Sequence, residues 1–480
     1  MRFLLAALLF SLLTPGLSAQ VQLRPLLSPE VAAITAQPPR GGHLGLLVRD
    51  LSTGQVVEAL RPDELFTPAS TTKLLSMAAW LGLRDSGAAG TGRPAGWLST
   101  EVTAPASEVS SKAASLSVIT LRGSGDPSLS ITGPNSLAAL ARQLAARGVK
   151  SVAEVRLAAS IDSATWPALP LGTPVVSVRL QEYPGWSLSP VRYQAQVLQA
   201  FGRQLRAAGI RVGASEGHFG RLSAQAAGSA LTSVPAPNPK SQSAGASQTP
   251  PTGALPDTSP NAGPDASPDT SIATVRSAPI STLLTQTLKP SDNVWAEQLA
   301  AGLGAGGRRP ASHASMIAGL RRFLAESGVG SAALKLHDAS GLSPDNRLSP
   351  RALVALLRRM YDLPTLAAAD LAARPAIQPA QAFADHKNLF IEALAQGGTG
   401  QATAEARFNG GTLAGRFIGS GLDVRAKTGT LPGVSCLAGY VRGASGHTLA
   451  FAVMLDQAPG GAVRLRNYID QLVRVVAARH

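Results

Sequence analysis

The stretch TPASTTKLLS, residues 67–76, decides how the rest of the chain is read. Thr67 is a good N-cap and Pro68 falls at the first helical position, where its missing N–H costs nothing. The pattern predicts a helix from there to about Gly82, with Leu74, Leu75, Ala78, Ala79 and Leu81 as its buried stripe. Ser70 and Lys73 are three apart and project from the same face of the first turn. A serine hydroxyl is a weak nucleophile and needs a base beside it, which a lysine can be if its pKa is lowered. Burial, the positive end of a helix and a second cation would all lower it. Serine and lysine at this spacing are common by chance, and alone they read as a capped helix with a surface lysine.

Two later stretches change that reading. KPSDNVWAEQ contains Ser291, Asp292 and Asn293, and VRAKTGTLPG contains Lys427, Thr428, Gly429 and Thr430. Of the 43 basic residues only 8 are lysine, so this chain prefers arginine, and both motifs that demand a lysine have one. A compact ammonium that can lose its proton is something arginine cannot replace. SxxK, SDN and KTG in this order form the signature of the penicillin-recognising serine acyltransferases. In that scheme Ser70 attacks a carbonyl and Lys73 takes its proton. Ser291 relays the proton to the leaving amine, bridging Lys73 and Lys427. Asn293 hydrogen-bonds a substrate amide. Lys427 holds Lys73 neutral and attracts a terminal carboxylate, to which Thr428 donates. Gly429 lets a substrate backbone lie along a strand. The N–H groups of Ser70 and Thr430 form an oxyanion hole.

Composition sets the frame around these motifs. The 480 residues are too many for a single core, and 45 % apolar with 15 % charged residues is globular. Residues 1–19, with Arg2, an apolar run from Phe3 to Leu13 and a Pro15-Gly16 break, read as a signal peptide too short to span a bilayer. The mature protein is therefore expected to be exported to the periplasm, envelope or medium, with no integral membrane segment. Net charge is +14, but the arginines are scattered and aromatics are 4 %, which argues against nucleic-acid binding. Cys436 is the single cysteine; it excludes an internal disulfide and reads as a small core residue in a strand. No metal cluster and no cofactor motif is present.

LGLLVRDL and QVVEAL around Ser-Thr-Gly form a hairpin signature. Residues 223–272 are rich in Pro, Ser, Ala and Gly and lack aromatics, the composition of a disordered linker. From residue 277 the pattern is helical, and the chain closes with the strands SCLAGYVRG and HTLAFAVMLD and a last helix. Strands at both ends with helices between imply one α/β domain from 20–95 plus 273–480, whose sheet needs both termini. Residues 96–222 are then an inserted accessory domain of short strands and helices.

The chain resembles the class C low-molecular-mass penicillin-binding proteins, the D-alanyl-D-alanine carboxypeptidase/endopeptidases of peptidase family S13. Besides the three triplets, LRGSGDPSL (121–129), DASGLSPDNRLSP (338–350) and GTLAGRF (411–417) are similar to that family's elements. The spacing of 221 residues from Ser70 to Ser291 agrees with it. The resemblance implies a penicillin-binding-protein/β-lactamase-like transpeptidase fold, a central antiparallel sheet flanked by helices. It implies cleavage of the D-Ala–D-Ala bond of peptidoglycan stem peptides through an acyl-enzyme, with β-lactams as inhibitors. It associates Asp126 with the side-chain amine of the stem peptide's third residue. Pro344 and Pro432 stand where the family often has groups for a distal carboxylate; either Arg347 substitutes or recognition there is loose, or the preferred stem carries lysine or ornithine at its third residue. Two rivals remain. A β-lactamase would need a deacylating base, for which Glu405 in EARFN is a chance match. A non-catalytic wall-binding scaffold would let the motifs decay, and every motif side chain is present.

Overall fold

The computed structural model describes residues 25–85, 98–167, 173–183, 188–213, 269–304, 310–329, 334–364 and 377–480. The segment read as a signal peptide and most of the stretch read as a linker lie outside them.

A six-stranded antiparallel sheet forms the centre, in the order β2-β1-β11-β10-β9-β8. It takes β1 (His43–Asp50) and β2 (Val56–Leu60) from the N-terminal part of the chain. It takes β8 (Ala395–Gln396), β9 (Val424–Leu431), β10 (Val434–Arg442) and β11 (Thr448–Asp456) from the C-terminal part. β1 and β2 are the hairpin read from the sequence, and β1 pairs with β11 from His43↔Asp456 to Asp50↔Leu449. All nine residues of β11 are buried, so both faces of the sheet are covered. Side-chain alternation divides the strands between two cores. Cys436, Ala438, Tyr440, Ala450, Ala452 and Met454 face one of them. On that side lie α2 (Thr72–Asp85), α7 (Asn293–Ala301), α8 (His313–Glu326) and α9 (Pro350–Asp362). Leu437, Val441, Leu449, Phe451 and Val453 face the other core, against Leu465, Ile469, Leu472 and Val476 of the terminal α13 (Ala462–Arg479). Each such leucine or isoleucine removed from water contributes roughly 1.5–3 kcal/mol before chain entropy is charged against it.

A second sheet of five strands has the order β6-β5-β4-β3-β7. Its strands are β3 (Ser99–Pro105), β4 (Ser115–Gly123), β5 (Ser151–Leu157), β6 (Arg211–Val212) and β7 (Asp269–Arg276). α4 (Leu137–Ala146) and α5 (Pro190–Ala207) cover it and share a core with it that is separate from the other two. The entry and exit of this module touch: Ser277 N donates to Leu98 O (2.8 Å) and Leu98 N donates to Ser277 Oγ (3.0 Å). The boundary drawn from sequence at 272/273 is corrected here. Residues 269–272 are strand rather than linker, and 273–276 belong to the accessory sheet, because β7 pairs with β3 from Ser99↔Arg276 to Pro105↔Asp269. The module docks on α7, where the Gln298 side chain donates to Val176 O (2.6 Å) and accepts from Val176 N (3.2 Å).

Candidate active site

The serine-bearing segment does not start as the sequence suggests. Residues Ala69–Thr71 form a single 3-10 turn and the α-helix begins at Thr72. Thr67 caps nothing. Its N–H donates to Asp456 Oδ2 at the end of β11 (2.9 Å), and its carbonyl accepts from the Cys436 thiol (3.4 Å). Ala69 takes a left-handed φ of +47°, an arrangement a non-glycine residue adopts only when its surroundings impose it. The elbow leaves Ser70 half-buried while Lys73, one turn on, is wholly enclosed.

Lys73 Nζ has three acceptors: Ser70 Oγ at 3.0 Å, Asn293 Oδ1 at 2.5 Å and the carbonyl of Ser340 at 2.6 Å. An ammonium would donate to all three. A neutral amine keeps two N–H bonds, to Asn293 and Ser340, and leaves its lone pair for the Ser70 hydroxyl. Burial lowers the Lys73 pKa to about 8 against the pull of Glu297, Asp338 and Asp292. Asn293 opens α7, and Asp292 caps it by accepting from Trp295 N (2.9 Å). Ser291 is a second left-handed non-glycine residue, with φ +65°.

Lys427 on β9 is equally enclosed and donates to Ser291 Oγ (2.9 Å) and to the carbonyl of Thr428 (3.0 Å). Burial first, and then the neighbouring Lys73, push its pKa well below that of a free lysine. The structure therefore pairs Ser291 with Lys427 in the free enzyme, where the sequence reading has it bridging both lysines. Thr428 Oγ1 donates to Thr412 Oγ1 (2.9 Å), and Thr430 is exposed. β8 covers β9 only at Arg425 and Ala426, so the backbone from Lys427 to Leu431 forms an open sheet edge beside Ser70.

Gly429 has a different reason from the one its motif suggests. A Cβ there would lie 2.5 Å from the carbonyl oxygen of Pro68, so glycine is needed to seat β9 against the serine turn. Asp126 is not presented to this cluster. It is buried, its Oδ1 accepts from Ser128 N and Oγ, and its Oδ2 accepts from Asn135 Nδ2. Its loop uses the carboxylate that the resemblance assigns to substrate. Arg347 is half-buried and its Nη1 donates to Pro344 O (2.6 Å) and Asn346 O (2.8 Å). Glu405 sits exposed on α12 (Ala404–Gly410), while Asn409 of the same helix accepts from Lys289 Nζ (3.4 Å).

Three residues outside the triplets complete the site. Asp338 accepts from Gly341 N and Asn346 Nδ2 through Oδ1 (2.7 and 2.6 Å) and from Ser343 N through Oδ2 (2.6 Å). Glu297 Oε1 accepts from Ala339 N (2.9 Å) and Ser340 N (2.7 Å). Ser340 supplies its carbonyl to Lys73. The turn they shape presses on the nucleophile, since a Cβ at Gly341 would lie 1.8 Å from Ala69 O and 2.9 Å from Ser70 N. Glu297 stands four residues after Asn293, on the same helix face, and that spacing was its signal in the sequence. Among the described residues no group of three or more His, Cys, Asp or Glu side chains is placed to hold a metal ion, and no helix is long and apolar enough to cross a membrane.

A half-buried serine, a wholly buried lysine against it and a second buried lysine on an adjacent open strand edge form the arrangement expected of a serine acyltransferase of the SxxK type. The family model described as D-Ala-D-Ala carboxypeptidase 3 (S13) matches residues 27–168 and 259–479, and the chain belongs to that family. Carboxypeptidase DacB of Mycolicibacterium smegmatis is 35% identical over 208 residues, 43% of this chain and 39% of that protein. The chain thus matches well under half the length of that relative. Carboxypeptidase Rv3627c of Mycobacterium tuberculosis is 28% identical over 456 residues, 92% of this chain and 81% of that protein. Penicillin-binding protein 4 from Haemophilus influenzae shares the fold, with a TM-score of 0.60 at 17% identity, covering 93% of this chain and 98% of that one. A second structure of it, complexed with a β-lactam, gives a TM-score of 0.56.

Proposed function

We propose that this protein is a serine-type D-alanyl-D-alanine carboxypeptidase/endopeptidase acting on peptidoglycan stem peptides, and that β-lactams acylate it at Ser70. The observation that carries this reading is the arrangement around Lys73 Nζ, with two fixed acceptors and one nucleophilic hydroxyl at 3.0 Å. The substrate backbone adds to the open edge of β9, and its terminal carboxylate meets Lys427 and the hydroxyls of Thr428 and Thr430. Its scissile carbonyl then points between the N–H groups of Ser70 and Thr430. The Ser70 proton passes to Lys73 as Oγ attacks, and the developing oxyanion is held by those two N–H groups. Ser291, oriented by Lys427, delivers its hydroxyl proton to the leaving D-alanine nitrogen as the C–N bond breaks, and Lys73 gives Ser291 the proton it took from Ser70, which leaves the Lys73 amine neutral again. Water then hydrolyses the ester with Lys73 again as base, which restores the Ser70 hydroxyl.

Residues 1–19, read as a signal peptide, support export, with the activity in the periplasm, at the cell envelope or outside the cell. The third residue of the stem peptide is the part of the reading that the structure weakens. The Asp126 carboxylate is taken up by its own loop, whereas Arg347 spends only Nη1 on the carbonyls of Pro344 and Asn346 and keeps further donors. The exposed position of Glu405 removes the support for a β-lactamase, which would need a base at the ester.

Intact mass after incubation with benzylpenicillin tests the assignment, with wild type beside Ser70→Ala and with release of D-alanine from a D-Ala–D-Ala peptide as the second readout. The expected result is a persistent one-equivalent adduct and D-alanine release on wild type alone. A wild type that leaves both the drug and the peptide intact overturns it.

A further inference from the structure

Glu297 is absent from the three motifs, yet the site is built on it. It is wholly buried on α7, and one oxygen, Oε1, accepts both amide N–H groups of the Ala339–Ser340 turn. The carbonyl of that same turn receives Lys73 (2.6 Å). Four residues earlier on α7, Asn293 provides the second fixed acceptor. Glu297 and Asn293 thus hold Lys73 from one rigid helix, the first through a turn and the second directly. The other carboxylate oxygen, Oε2, and the Ser340 hydroxyl are buried without a hydrogen bond of standard geometry, although that hydroxyl lies near enough to Glu297 to favour its charged form. A buried ionised oxygen without a donor is costly, so an unsatisfied Oε2 marks a place where a proton can reside. Asp338 next to it is different, for three donors satisfy its two oxygens. Burial and the Asp338 charge raise the Glu297 pKa to about 7.

We propose that Glu297 is a positioning residue for the Lys73 base, fixing through the 339–340 turn the carbonyl that aims the amine at Ser70 and setting through its charge the pH at which that amine becomes free. The inference rests on the reading of Ser70 and Lys73 given above. The groups facing Lys73 are Glu297 from α7, Asp292 at the cap of that helix, Asp338 from the turn and Lys427 from β9. Asp338 and Lys73 face Glu297. Of the three carboxylates, Glu297 exerts the largest pull that keeps Lys73 protonated. Replacing it by glutamine keeps an oxygen for the two turn amides and removes the charge. Replacing it by aspartate keeps the charge and withdraws it from the amides by one methylene.

The test is the pH profile of the second-order rate of acylation by benzylpenicillin, for wild type, Glu297→Gln and Glu297→Asp, with a melting curve for each. Acylation of the wild type comes first: if it fails, the assignment of Ser70 is wrong, and if it succeeds the variants judge Glu297 alone. The expected result for Glu297→Gln is an acid limb moved to lower pH by about one unit. For Glu297→Asp the limb should stay and the plateau rate fall about tenfold, as the turn loosens. A residue that only supports the fold would lower the melting point and leave the limb in place. A folded Glu297→Gln with a wild-type limb overturns the proposal, as does an equal shift of the limb in both variants. Should Glu297→Gln not fold, an aspartate variant with wild-type plateau and limb overturns it as well.

Discussion

Replacing Gly341 by alanine tests how the nucleophile is held. Gly341 has φ +82°, a left-handed conformation that costs a residue with a Cβ about 1–2 kcal/mol. The new Cβ would also lie 1.8 Å from the carbonyl oxygen of Ala69, where real contacts do not fall below 3.0 Å. The turn and the elbow must therefore separate by at least 1.2 Å, the difference between those distances. Both sides of the contact are backbone, and Ser70 N, an oxyanion donor in the proposed mechanism, is 2.9 Å from the same point. A displacement of about 1 Å at a reacting group costs roughly a hundredfold in rate. Strain and overpacking together should lower stability by about 2–4 kcal/mol. The assay is the acylation rate with benzylpenicillin beside the melting curve, with Gly54→Ala as control. Gly54 has φ +74° and nothing within 4 Å of its would-be Cβ. The control should lose about 1 kcal/mol and acylate as the wild type does. A folded Gly341→Ala that acylates within about threefold of wild type would show that the turn does not seat the serine, and the reasoning would fail.

Three further outcomes follow from buried ionisable groups. Lys73 is held near pKa 8 in the fold and returns to about 10.5 when unfolded, so the unfolded chain binds more protons between those values. The penalty of enclosing it is complete below pH 8 and fades as pH rises toward 10.5. Denaturant titrations should show wild type gaining on Lys73→Met by up to about 3 kcal/mol across that window, and a flat difference would contradict it. Arg416 and Asp470 form a bidentate pair, with side chains only 11% and 12% exposed. Arg416→Ala should destabilise by roughly 3 kcal/mol, much of which Asp470→Asn on top of it should restore, as read from melting curves of the two variants. Cys436 is buried and its thiol is pushed up to about 12, so iodoacetamide should label the protein only after denaturation.

How much of this was legible in the sequence depends on whether a residue acts through its side chain or its backbone. Ser70, Lys73, Asn293, Ser291 and Lys427 carry their meaning in side-chain type and order, and the fold brings them together. The hairpin of β1 and β2 was legible because Ser-Thr-Gly separates two β-rich runs. Ser340 was not, because it contributes a carbonyl that any residue has. The Ala69 elbow was hidden as well: Thr67-Pro68 has the form of a helix start, and it is overruled by Asp456, nearly 400 positions away, taking the Thr67 N–H. The boundary at β7 was misplaced since Asp269-Thr270-Ser271 has the composition of the stretch before it, and only pairing with β3 makes it a strand. Asp126 shows the opposite hazard, a residue whose motif points to substrate while local geometry commits it to its own turn.

The accessory sheet also decides where the chain can change in length. β6 and β7, which bracket residues 214–268, are its two opposite edges. Five strands spaced about 4.8 Å apart place those edges roughly 19 Å from each other, a gap that about six extended residues can span. The 55 intervening residues lie outside the described ones and are many times that minimum; for a flexible connection in general, each doubling of length adds only about 0.6 kcal/mol of closure entropy. That entropy is charged to the accessory sheet alone, because Leu98 and Ser277 are already clasped where the peptidase core resumes. Insertions and deletions between β6 and β7 can therefore accumulate by the dozen while the distance from Lys73 to Ser70 stays fixed.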